Sequence, residues 1–65
     1  LSPAQELVIK SMKNGYQLQF QPCGNDWFLV GPRRFEIFSG TVKTLIYAGM
    51  IKQVDGIYVL SDLAK

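Results

Sequence analysis

The sequence holds no histidine and a single cysteine, Cys23. Those two scarcities together remove an internal disulfide, a Cys/His zinc site and a histidine-activated thiol nucleophile. They also make a reducing, intracellular and cytoplasmic setting the simpler expectation. Charge is sparse as well: seven basic and five acidic side chains leave a net charge of +2 over 65 residues. That balance permits contact with nucleic acid without demanding it, because phosphate-driven binders carry larger basic excesses. No apolar run nears the ~20 residues that cross a bilayer, and no charged stretch leads a short hydrophobic one as in a secretion signal. The acids Glu6, Asp26, Glu36, Asp55 and Asp62 are scattered. There is no phosphate-cradling glycine loop, metal-ligand cluster or nucleophile-base pair, so neither an enzyme nor a cofactor is expected.

What the chain does have is apolar residues, 48% of the total, enough to expect one α+β domain over residues 1–65 and to argue against disorder. A chain this short buries only ~60% of the surface its unfolded form exposes, so each anchor counts. Leu1 stands where an initiator Met would, as in a domain cut from a longer chain or a trimmed product.

Ser2, Pro3 and Gln5 predict a helix start with a capping box. Ala4, Leu7, Val8, Ser11 and Met12 share one side at helical spacing, with Ile9 at its edge, and Asn14-Gly15 supplies the stop. Tyr16 to Gln21 alternates, setting Tyr16, Leu18 and Phe20 against three glutamines, which predicts a half-buried strand. Gly24-Asn25-Asp26 turns the chain into a strand over Trp27 to Val30 that pairs with it. Gly31-Pro32-Arg33-Arg34 makes a second turn into Phe35 to Phe38, a third strand with a short helical turn as the competing reading.

Ser39 is the expected cap of a second helix whose buried face is Val42, Leu45, Ile46 and Gly49. Thr41, Lys43, Thr44 and Tyr47 are left outside. Gly49 stops that helix, and Met50 to Val54 pairs with Ile57 to Leu60 across the two-residue Asp55-Gly56 turn. The register sets Ile51 against Leu60 and Val54 against Ile57. Ile51, Gln53, Tyr58 and Leu60 then share one face, and Lys52, Val54, Ile57 and Val59 the other. Ser61 to Lys65 reads as a capped helix start.

The segment from Thr41 to Leu63 resembles the closing half of bacterial winged-helix proteins. In those proteins a helix ending Leu-x-x-x-Gly-Leu-Ile runs into a hairpin wing and a Tyr-x-Leu-Thr exit. Leu45, Gly49, Met50 and Ile51 hold the first set of positions here, and Tyr58, Leu60 and Ser61 the second. The opening Leu1 to Gln5 is similar to their first helix, so the likeness covers about half the chain. Residues 16 to 38 depart from it, reading as strands where a helix-turn-helix has its second helix. That layout is similar to small bacterial and prophage proteins of the YjhX toxin type.

The resemblance implies a DNA-binding regulatory module acting on duplex DNA. Thr41, Lys43, Thr44 and Tyr47 would face the major groove, with Ser39 and Gly40 near a phosphate. Arg33 and Arg34 in their turn, and Lys52 on the wing, would hold the backbone. The alternative partner is another protein, or a second copy of the chain through a strand edge. It draws on the near-neutral charge, the apolar wing tip of Val54 and Ile57, and the abundance of large apolar residues from 16 to 38. Against that stands the simpler expectation that Trp27, Phe28, Phe35 and Phe38 all pack into the core. A weaker single-strand or RNA reading would stack bases on Tyr16, Phe20, Trp27 and Arg34.

Overall fold

A computed structural model describes all residues, 1–65. The chain runs α1 (Pro3–Lys13), β1 (Gln17–Gln21), β2 (Asp26–Val30), β3 (Arg34–Ile37), α2 (Ser39–Tyr47), β4 (Ile51–Val54) and β5 (Ile57–Leu60). This is the α+β order helix, three strands, helix, two strands expected from the sequence. The third strand forms, and the competing helical turn does not.

Both helices end by the same device. Gly15 and Gly49 take positive φ, at 95° and 77°. After α1, Tyr16 N donates to Ser11 O at 3.0 Å and Gly15 N to Met12 O at 3.2 Å; after α2, Met50 N donates to Leu45 O and Gly49 N to Ile46 O, each at 3.0 Å. These paired bonds satisfy carbonyls that a helix end otherwise leaves open, and they need a left-handed residue that costs glycine little. At its start α1 has the full capping box. Gln5 N donates to Ser2 Oγ at 3.2 Å while Ser2 N donates to Gln5 Oε1 at 2.9 Å.

The start of α2 differs from expectation. Ser39 is its first helical residue, and Phe38 occupies the cap position with no side-chain hydrogen bond to the helix. The Phe38 ring lies over Gly40 instead, where an added Cβ would come 2.6 Å from the ring edge.

The five strands form one antiparallel sheet in the order β3-β2-β1-β5-β4. The β4–β5 hairpin has the expected register, Ile51 with Leu60 through Val54 with Ile57. Asp55 (φ 52°) and Gly56 (φ 80°) both sit in the left-handed region, the geometry that lets a two-residue turn match strand twist. Between β1 and β5 only Leu18 and Tyr58 are in register.

Both helices pack on one face of the sheet, α1 against α2, β2 and β5, and α2 against β2 and β4. Val8, Ile9, Leu18, Trp27, Leu29, Val42, Leu45, Ile51, Leu60 and Ala64 make the core between them. Beyond the helices, the inner face carries a run of rings. Phe20 lies 4.7 Å from Trp27 centre to centre, and Trp27 meets Tyr58 edge-on at 5.0 Å.

Several packing expectations are corrected. The buried side of α1 is turned away from Ala4 and Leu7: Val8 and Ile9 are buried, Met12 is half-buried, and Leu7 is 57% exposed. The helix meets α2 on the side of Gln5, whose Nε2 donates to Thr44 Oγ1 at 2.8 Å, with Val8 and Ile9 turned into the core on that same side. Gly49 is exposed and serves as the stop, not as part of the buried face. Of the four large aromatics expected inside, only Trp27 is buried; Phe28 is half-buried, and Phe35 and Phe38 are 44% and 77% exposed. Phe38 follows the last residue of an edge strand, with no element on its far side to cover it.

The terminal residues make a turn. Ser61 ties that turn to the end of α2: its hydroxyl donates to Gly49 O and accepts from Leu63 N at 3.2 Å, and its N–H donates to Met50 O at 2.8 Å. Ser61, the one buried polar residue, is thereby satisfied.

Candidate nucleic-acid interface

The residues expected to meet DNA occupy two sides of the sheet. On the helix side, α2 leaves Lys43, Thr44 and Tyr47 exposed, with Thr41 half-buried. Tyr47 is 86% exposed. The Thr44 hydroxyl is already engaged: it donates to Thr41 O at 2.8 Å and accepts from Gln5. Thr44 therefore braces α2 on α1, leaving Lys43 and Tyr47, one turn apart, as the free polar groups of that strip. The helix contains no acidic residue. Its start is less welcoming to a phosphate than the sequence suggested, because the carboxylate residues Asp26 and Glu36 line the same 380 Å³ depression as Ser39.

Arg34 and Lys52 lie on the opposite side. Arg34 is the first residue of β3, not part of the turn, and pairs with Val30. Its guanidinium carbon sits 4.0 Å from the centre of the Phe28 ring, and Nη2 donates to Gln21 Oε1 at 3.2 Å. Cation–π attraction and a hydrogen bond thus hold it flat against the sheet. Lys52 pairs with Val59, alternating with the buried Ile51 and Leu60, and so shares the outer face with Val54 and Ile57. Arg33 is exposed in the turn between β2 and β3, where its carbonyl accepts from Gly31 N at 2.9 Å. Arg34 and Lys52 consequently form no continuous surface with Lys43 and Tyr47.

The outer face is bare across its width. Its centre is the row Gln17, Gln19 and Gln21, with Gln19 Nε2 donating to Gln17 Oε1 at 3.2 Å. Val54 and Ile57 sit opposite each other near the hairpin tip, 45% and 47% exposed. Where β1 parts from β5, a shallow depression of 1040 Å³ opens beside β5. Lys13, Lys52 and Lys65 all line it, a grouping that joins α1, β4 and the terminal turn. No local signal in the sequence unites those three lysines, because the β1–β5 pairing that assembles the depression links residues 40 positions apart.

Cys23 is free and exposed in the β1–β2 connection. The stacking residues of the single-strand reading are divided: Trp27 is buried against Phe20 and Tyr58 on the inner face, and Arg34 lies on the outer. No helix is long and apolar enough to cross a membrane. Compared with protein-family models, with curated proteins and with solved structures, the chain finds no match.

Proposed function

We propose that this chain is a non-enzymatic, winged-helix-like binding domain that works inside the cell as a regulatory or accessory module. Its partner is duplex DNA, contacted by the exposed strip of α2. The observation that supports this reading is the character of that strip. It is a nine-residue helix without a carboxylate, braced from behind by α1 and the sheet, that holds Lys43 and Tyr47 out to solvent. A lysine on a rigid helix contributes to the backbone contact, and a tyrosine offers a hydroxyl and a ring to a groove.

Fluorescence anisotropy with a labelled mixed-sequence duplex at low salt tests the reading. Weak binding that fades as salt rises is expected, with Lys43→Ala lowering the slope of log affinity against log salt by roughly 0.9. No binding at low salt would sink it. Arg33→Ala with Arg34→Ala is the informative comparison. A larger loss from that pair than from Lys43→Ala would put the duplex against the outer sheet face.

A protein partner is the second reading, favoured by the uncovered Val54–Ile57 pair and by Phe35 and Phe38 at the other edge of the sheet. Strands β3 and β4 are both free edges, so a second copy could add to either. Sedimentation velocity over a concentration series separates self-association from binding to a different protein.

A further inference from the structure

The depression beside β5, lined from the end of α1 through Tyr16 and Gln17 to both strands of the β4–β5 hairpin, combines two features that neither α2 nor the rest of the sheet brings together. Its rim carries Lys13, Lys52 and Lys65, and its lining includes Val54, Ile57 and Val59. No carboxylate residue lines it. The nearest competitor is Asp62, whose Oδ1 lies 3.8 Å from Lys65 Nζ, and both side chains are largely in water at 93% and 66% exposure. A pair that exposed is worth little, so an incoming carboxylate can replace it.

We infer that this depression docks an acidic, amphipathic segment of a partner protein. Three lysines on separate elements are mobile point charges suited to dispersed carboxylates, and none supplies the fixed two-pronged fork with which arginine grips a phosphate. The apolar lining completes the argument. A nucleic-acid backbone gains nothing from Val54, Ile57 and Val59, whereas leucine or valine side chains of a peptide remove that surface from water. Charge complementarity thus brings the segment in, and the lining fixes how it lies. The depression takes none of its lining from α2, the helix proposed to meet DNA, so either contact can fail without the other.

The test titrates the ¹⁵N-labelled chain with an octapeptide of alternating glutamate and leucine, following amide shifts. Octaglutamate and oligothymidine serve as competitors. Shifts concentrated at residues 13, 52 to 59 and 65 are expected, with affinity falling about tenfold or more in Lys13→Glu with Lys52→Glu. Both lysines are exposed, so the variant keeps its fold, which its amide dispersion verifies. Ile57→Ser should weaken the octapeptide while leaving octaglutamate untouched. The inference is overturned by octaglutamate binding as tightly as the octapeptide, by oligothymidine displacing it, by shifts that map to α2, or by an unchanged affinity in the double lysine variant.

Discussion

The two faces of the sheet use the same alternating strands for opposite ends. The inner face sets Leu18, Leu29, Ile51 and Leu60 under two helices, each at 9% exposure or less. The outer face carries Gln17, Gln19 and Gln21 at its centre, Phe28 under Arg34 on one flank, and Val54 with Ile57 on the other, and nothing covers it. In a 65-residue domain with little surface to bury, leaving those apolar side chains in water forgoes stability. The contrast teaches that burial within this chain accounts for the apolar residues of the inner face and leaves those of the outer face in water.

That contrast can be broken by substitution. Leu18→Ala removes a side chain that is 1% exposed, and about 2–5 kcal/mol of loss is expected in urea unfolding, a large share of what a small domain has. Arg34→Ala, which removes the cation–π contact and the bond to Gln21, should cost about 0.5–1 kcal/mol in the same measurement. Ile57→Ser should cost no more than about 1 kcal/mol by thermal melting, since half its surface is already wet. If the outer-face variants destabilised as strongly as Leu18→Ala, the outer face would be structural and its proposed contacts would lose their basis.

Features set by short-range chemistry were legible in the sequence. Asp55-Gly56 dictates both turn and register of β4–β5, and Ser2 with Gln5 dictates where α1 begins. Features decided by distant neighbours were not. Leu7 and Val8 are both apolar and both fit the helical spacing, and the packing of α1 against α2, β2 and β5 decides that Val8 is the one buried. Ser39 is a good capping residue, yet the chain leaves β3 with Phe38 in the cap position and folds its ring onto Gly40. For the candidate site, the exposure of Lys43 and Tyr47 followed from helical spacing. The separation of Arg34 and Lys52 from them depends on which face the helices cover, and the lysine depression depends on a strand pairing with no local signature.

That pairing, Leu18 beside Tyr58, joins two pieces that are each complete over short stretches of chain: the meander of β1, β2 and β3, and the unit of α2 with its hairpin. The meander closes across connections of a few residues, whereas the seam must bring together positions 40 apart, so its closure entropy falls due only once. The seam is thus the step on which folding speed should depend.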